Sequence, residues 1–399
     1  MFTFNLFAEG FAEDPYPHYA ELRSNAPAYQ HPLGFWIIST YEDVSRLQRS
    51  GHSVDERHLM NTPTWKSNSG AQRREDRMMR GLSVLDQDPP NHTRLRRLMG
   101  KAFTRGAVQA MQPRVEALVD EALDRIADAG QADVVAELAF PLPFTVISEM
   151  LGIPMTGEAS LRELTGTLVR GLEPLPDPAL QAAIRSASEE LTSIVADLAT
   201  WKRAHPGDDL FSALIDAADD GDVLTEDELI AQVTFLYIAG HETTVGLLAG
   251  GLLALLRHPD QYQQLRREPG LAANAVEELL RYDSPVHLMR RVTIEPLVVQ
   301  GREIPPGSWV VGAIAAANRD PGFWGPDADE LRLDRPNAHL NVSFSAGAHH
   351  CAGAPLARLE AQVAMAGFAR RFPSAEVAEL RWNGRINVRG PASLSVSVR

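Results

Sequence analysis

Apolar positions recur at three- and four-residue spacing through "HTRLRRLMGKAF", "VQAMQPRVEALVDEALDRIADAG", "PFTVISEMLG", "SEELTSIVADLATWKRA", "NAVEELLRYD" and "APLARLEAQVAMAGFARRF", so each stretch predicts a helix. The longest apolar run behaves differently. "ELIAQVTFLYIAGHETTVGLLAGGLLALL" (228–256) is apolar all round; Thr225 and Glu228 form a capping box that opens it, and "RHPD" (257–260) closes it. A helix over 226–257 at about 1.5 Å per residue is roughly 48 Å long, enough to cross a domain. Such a run invites a membrane reading, but Gln232, His241 and Glu242 count against it, since an ionisable pair in mid-helix is costly in lipid. It reads instead as a central helix buried on all sides, its polar middle facing a site. Strand-like runs are confined to "FWIIST" near the N-terminus and to 290–318, where turns at Gln300-Gly301 and Pro306-Gly307 separate apolar segments. Without βαβ alternation a doubly wound sheet is unsuited, and the pattern predicts a mainly α protein with small β-sheets.

Composition narrows the class. The chain has 399 residues, 44% hydrophobic and 23% charged, with a net charge of −14. That balance describes an acidic globular protein with a large core and argues against nucleic acid as a partner. One cysteine excludes an internal disulfide and any Cys-Cys zinc site, and points to a reducing, cytoplasmic setting. The first residues show neither a signal peptide nor a membrane anchor. Length alone suggests two or three domains, roughly, but no linker divides the chain, so a single large domain over 1–399 is expected. Within it the pattern outlines a β-rich part about 30–60, a helical body about 91–284, small sheets about 290–318, and a glycine-rich loop with its following helix at 344–372.

The single cysteine, Cys351, lies in "NVSFSAGAHHCAGAPLARLE" (341–360). A lone cysteine is more often a buried inert residue than a ligand. Here Gly347 and Gly353 flank it and a helix starts near Pro355, so backbone N–H groups and the positive helix end would face the sulfur and favour a thiolate. Adjacent His349, His350 and Cys351 cannot easily converge on one tetrahedral zinc, whereas haem iron needs a single protein ligand and accepts thiolate. In "AGHETT" (239–244), Gly240 and the Thr243 and Thr244 hydroxyls can loosen the helix ladder, placing the acid Glu242 beside an alcohol; a kink with a satisfied glutamate is the alternative. His92 and Arg96 share a helix face and can clamp carboxylates, while Arg94, Arg97 and Lys101 read as solvated cations. Glu278 and Arg281, at i and i+3, form at least a helix ion pair.

Together "FSAGAHHCAGAPLARLE", "AGHETT" and "EELLR" resemble three motifs of the cytochrome P450 family of haem-thiolate monooxygenases in its soluble bacterial form, in the right order and over nearly the whole chain. The resemblance implies the cytochrome P450 fold, with the long helix over a haem b (iron protoporphyrin IX). It makes Cys351 the axial iron ligand, Phe344 the aromatic near the sulfur, and Gly347 and Gly353 room for the porphyrin, with Ala239 above it. Propionates would be held by His92, Arg96, His349 and Arg290, the last favoured over Arg291. Thr243 and Glu242 become the catalytic alcohol and acid, and Glu278, Arg281 and Arg335 a buried ion network. Where the family has glycine this chain has Ser345, so its backbone must avoid φ > 0 or accept strain.

The activity so implied is insertion of one oxygen atom of O2 into a C–H bond, by hydroxylation or epoxidation, in secondary metabolism. Electrons would come from a ferredoxin and its reductase, with Arg94, Arg97, Lys101 and Arg358 as a basic docking patch; the protein would be a monomer without nucleic acid or membrane partner. The substrate would be a hydrophobic small molecule such as a terpenoid, steroid, polyketide or fatty acid. Its pocket would be lined by the loop around 60–86, the loop near 168–176, Phe235, Leu236, Ile238 and Ala239, the turn with Val286, His287 and Leu288, and "RINV" (385–388). Two alternatives stand beside this: a peroxide-driven haem-thiolate enzyme, which needs a distal arginine to hold a substrate carboxylate, and a non-catalytic haem sensor with His241 as sixth ligand.

Overall fold

In the computed structural model, residues 2–61, 81–153, 158–174, 178–219 and 221–398 are described. The principal helices are α1 (Tyr16–Asn25), α2 (Tyr41–Arg49), α3 (Asn91–Ala102), α4 (Gln112–Ala129), α5 (Pro141–Leu151), α6 (Glu158–Val169), α7 (Pro178–Ala204), α8 (Glu226–Arg257), α9 (Pro259–Arg267), α10 (Ala272–Tyr282) and α11 (Ala354–Arg371). The strands that matter for the site are β1 (Ala28–Gln30), β2 (Trp36–Ile38), β3 (Gln131–Asp133), β4 (Leu288–Val292), β5 (Leu297–Val299), β6 (Arg302–Ile304), β7 (Trp309–Ala313), β8 (Glu376–Trp382) and β9 (Pro391–Ser397).

The central helix α8 spans the residues its caps predict. Thr225 accepts the Glu228 N–H while the Glu228 side chain accepts the Thr225 N–H; Glu226, Asp227 and Glu228 face the positive helix end, and Pro259 starts the next helix. Its flanks enter two apolar clusters. Leu247, Leu248, Leu252 and Leu255 pack with α4, α10 and α11, while Leu229, Val233, Leu236 and Tyr237 pack with α5, α6 and α7. Gly240 lets α5 approach, since a Cβ there would lie 2.7 Å from Ile147 Cγ1. By length and composition α8 alone among the described helices passes as a membrane span, but 67% of its most apolar window is buried inside the protein.

Strands form a four-stranded sheet in the order β1-β2-β7-β4, with β2 parallel to β7 and the other pairs antiparallel, and a three-stranded sheet in the order β8-β9-β3. The β5–β6 hairpin turns through Gln300 and Gly301 at φ 49° and 72°, the left-handed pair that a tight hairpin requires.

Two expectations differ. The segment 30–60 holds little strand beyond β2: Thr40 accepts the Asp43 N–H and starts α2, whose Val44 and Leu47 turn into the core. The periodic stretch 108–130 is not one helix, because Pro113 brings no N–H and a new helix begins at Gln112 after a short one, Arg105–Ala110.

Candidate active site

Cys351 ends a loop pinned at several points. Gln48 donates to the Val342 carbonyl (2.9 Å), and the Cys351 N–H donates to the Phe344 carbonyl (2.9 Å). The Gly353 and Ala354 N–H groups at the start of α11, with Arg96 and Arg358, favour the charged form of the sulfur. Burial outweighs these and pushes the thiol up, although the residue keeps an exposed surface: Cys351 lies in a recess of the fold. Phe344 carries the Arg358 guanidinium over its ring at 4.6 Å. Gly347 has φ 68°, and a Cβ there would meet the Gln48 carbonyl oxygen at 3.1 Å, so packing against α2 demands glycine. A Cβ on Gly353 would meet only Cys351 Sγ at 4.0 Å. Ser345 adopts φ 58°, so the loop keeps the left-handed turn and accepts the strain.

Beside this recess stands a cluster of cations and histidines. The His92 ring lies 4.2 Å from that of His349, and Arg96 donates to the His350 carbonyl (3.0 Å). Burial, then Arg291, His92 and Arg96, lower His349 to about 3; burial and Arg96 likewise lower His92. Both rings are therefore neutral hydrogen-bond donors at neutral pH.

The arginine facing them is Arg291. Alternation along β4 sends Arg290 to the other side, where it meets Glu56 (3.6 Å) and lies over Trp309 (5.3 Å). Arg291 is 6% exposed, burial pulls it down to about 10, and its Nε has no hydrogen-bond partner. A buried guanidinium with an orphaned donor beside two neutral donors suits an anion such as a carboxylate. The described residues contain no cluster of three or more metal-ligating side chains. One sulfur ligand beside carboxylate-binding donors fits haem and fits zinc poorly.

On α8, Phe235, Ala239, Glu242, Thr243 and Gly246 form a half-buried stripe at helical spacing. The Thr243 hydroxyl donates to the Ala239 carbonyl (3.1 Å), and the helix continues unbroken. Glu242 pairs with Arg385 (3.0 Å), a residue of the C-terminal loop. His241 is fully buried; its Nδ1 lies 2.7 Å from the Tyr237 carbonyl and its Nε2 3.1 Å from Thr165 Oγ1. The carbonyl makes Nδ1 the donor, and Nε2 is enclosed against the Thr165 hydroxyl, which itself donates to the Leu161 carbonyl (2.9 Å), so neither nitrogen faces the stripe as a ligand.

Several expected pocket residues lie elsewhere. Leu236 and Ile238 join the apolar cluster around Phe144, and Leu288 packs with Phe35 and Ile37. His287 is enclosed between Tyr16 and Tyr19, with Tyr19 Oη 3.4 Å from Nδ1. Val286 is half-buried against Val388. Residues 62–80 of the loop around 60–86 are outside the described residues. The ion network assembles as the motifs imply: Glu278 meets Arg281 at 2.7 Å and Arg335 at 3.1 Å, with all three side chains at most 3% exposed. Arg281 also donates to the carbonyls of Asn318, Ala328 and Glu330. Arg94 and Arg358 are tied to Glu228 and Glu277, which reduces their part in a docking patch. Sequence reasoning named Arg385 and Glu173 only as parts of the pocket-lining segments 385–388 and 168–176, and gave neither a role. Their partners are distant in sequence and no motif marks them.

A sequence model described as Cytochrome P450 matches residues 179–379. The chain is 40% identical to cytochrome P450 107B1 of Saccharopolyspora erythraea, covering 98% of this chain and 96% of that one. It is 38% identical to the cytochrome P450 monooxygenase PikC of Streptomyces venezuelae, covering 98% and 92%. Among solved structures, PksS, the cytochrome P450 of the Bacillus subtilis bacillaene polyketide synthase, superposes with a TM-score of 0.89 at 32% identity, covering all of both chains. P450BioI in complex with hexadec-9Z-enoic acid ligated acyl carrier protein gives 0.90 at 30%, covering 98% and 99%. The chain belongs to the cytochrome P450 family of haem-iron monooxygenases.

Proposed function

We propose that this monooxygenase hydroxylates or epoxidises a hydrophobic polyketide-derived small molecule, in the cytoplasm, as one monomeric domain fed by a ferredoxin and its reductase. Polyketide chemistry is favoured over terpenoid, steroid or fatty acid substrates by the PksS likeness. The observation that carries the site is the Cys351 sulfur in its recess at the start of α11, beside the cluster of Arg291, His92, Arg96 and His349. Cys351 would ligate the iron of haem b, and the other four would bind its propionates. Bound there, haem supplies oxygen activation, which thiolate ligation favours.

The remaining steps belong to side chains of this chain. Thr243 presents its hydroxyl at the half-open face of α8, and Glu242 carries protons from the Arg385 side toward it. Phe235 and Ala239 keep that face apolar and hold substrate close. Neither alternative gains a specific observation: Arg385, the arginine near the distal acid, is engaged by Glu242, and both nitrogens of His241 are enclosed within the helix bundle.

The test is a spectrum of the reduced holoenzyme with carbon monoxide, before and after Cys351→Ser. A strongly red-shifted Soret band that disappears in the variant supports thiolate ligation; haem-loaded parent protein without that band overturns it. A spin-state screen of macrolactones, steroids, terpenoids and fatty acids then ranks the substrate classes.

A further inference from the structure

We propose that Glu173 is a positioning residue for Glu242, acting through Arg385. This rests on Glu242 as the proton-handling acid and adds what aims it. Glu173 lies just beyond α6, and its carboxylate accepts the N–H groups of three successive residues: Ile386 (2.7 Å), Asn387 (3.1 Å to each oxygen) and Val388 (3.1 Å). The Asn387 side chain donates back to the Leu172 carbonyl (2.9 Å).

Three consecutive N–H groups on one carboxylate define both the position and the direction of the 386–388 backbone. Arg385 is the next residue back along it. Its guanidinium spans the gap to α8, donating to Glu242 Oε2 (3.0 Å) and to the Gly166 carbonyl on α6 (3.3 Å). Among the described residues, the only other basic group near Glu242 is His241 Nε2 at 3.7 Å, and burial lowers that histidine toward its neutral form. A Cβ on Gly166 would lie 3.9 Å from Glu242 Oε1, so the carboxylate rests against α6 where the helix has no side chain. The chain of contacts runs from the α6 end, through a backbone held by charge-assisted bonds, to the acid on α8. Loosening the Glu173 end frees Arg385 and leaves Glu242 without its guanidinium partner.

Hydrogen exchange and turnover of the haem-loaded protein test this together. Glu173→Gln keeps shape and removes charge; the amides of 386–388 then exchange about tenfold faster or more. In NADPH oxidation without added substrate, driven by a surrogate ferredoxin and its reductase, Glu173→Gln and Arg385→Gln shift the solvent deuterium isotope effect in the direction that Glu242→Gln shifts it. Arg385→Lys, which keeps the charge, stays nearer the parent. In a Glu242→Gln background, Glu173→Gln adds no further shift, whereas a merely structural loss would persist. Unchanged exchange at 386–388, or a parent-like isotope effect in Glu173→Gln while Glu242→Gln is altered, overturns the proposal and leaves the role of Glu242 standing. A parent-like isotope effect in Glu242→Gln itself overturns that role and the proposal with it.

Discussion

Single residues at the site carry unequal strain. Ser345 holds a left-handed backbone at φ 58° in a loop whose ends are fixed by Gln48 and the start of α11. For a residue with a Cβ that conformation costs roughly 1–2 kcal/mol, partly offset by the smaller entropy loss relative to glycine. Ser345→Gly is therefore expected to raise stability by up to about 1 kcal/mol, read as a higher denaturant midpoint at unchanged slope. A lower midpoint would mean that the serine side chain contributes more than its backbone costs. Thr243 tests function at the same scale. Its hydroxyl is the alcohol on the half-open stripe of α8, so Thr243→Ala should divert reducing equivalents to peroxide while substrate affinity changes little. Product formed per NADPH consumed measures this, and parent-like coupling would remove Thr243 from the proton path.

At the scale of elements, the ion network joins α10 to the segment 318–335. Glu278 meets two guanidinium groups, and Arg281 further satisfies three backbone carbonyls, so the segment's polar groups depend on one helix. Glu278→Gln leaves two buried arginines facing a neutral amide; removing one partner of a buried pair typically costs about 3–5 kcal/mol. Thermal unfolding and haem retention are the measurements, and a loss below about 1 kcal/mol would show that the backbone carbonyls and Asp327, 3.3 Å from Arg335, satisfy both guanidinium groups.

The helices and this pair were legible because each signal is local: α8 by its capping box, α10 by its period, Glu278-Arg281 by a spacing of three. Strand phase was not legible, which is why Arg290 was favoured where Arg291 faces His349. The spacing to Val292 and Thr293 favours Arg290, but only the pairing of β4 with β7 fixes which of two neighbouring arginines points inward. The β8–β9 sheet escaped notice because its residues are largely half-buried or exposed and β8 lacks a clean alternation. The segments holding Glu173 and Arg385 were expected at the pocket, but their roles escaped because each acts on a partner well over one hundred residues away.

Across the whole molecule, the two ends of the chain meet over one buried polar knot. Arg389 donates to the carbonyls of Ala12 and Glu13 and to Asp283 (2.8 Å), Tyr16 donates to the same carboxylate (2.7 Å), and His287 lies between Tyr16 and Tyr19. Burial first, then Arg389 and Arg319, lower His287 from 6.5 to about 3 against the upward pull of Asp283. Burial would raise Asp283, but Arg389, His287, Tyr16 and Arg319 hold it below the usual carboxylate range. A histidine depressed in the folded state binds fewer protons than in the unfolded chain. Its stabilisation is thus complete above the unfolded value near 6.5 and is lost as pH falls toward about 3. Asp283 adds a loss of the same sign only below the ordinary carboxylate range. Between pH 7.5 and 5 the His287 contribution is on the order of 2 kcal/mol. His287→Phe, which fills the space between the two tyrosines without a titrating group, should therefore lose less stability over that interval than the parent by about that amount. Denaturant unfolding of the holoenzyme at the two pH values reads the difference, and identical pH slopes in parent and variant would show that the knot admits the protonated ring. Because the knot ties α1 to the C-terminal loop that carries Arg385, protonation of His287 is expected to loosen the segment that aims Glu242 as well.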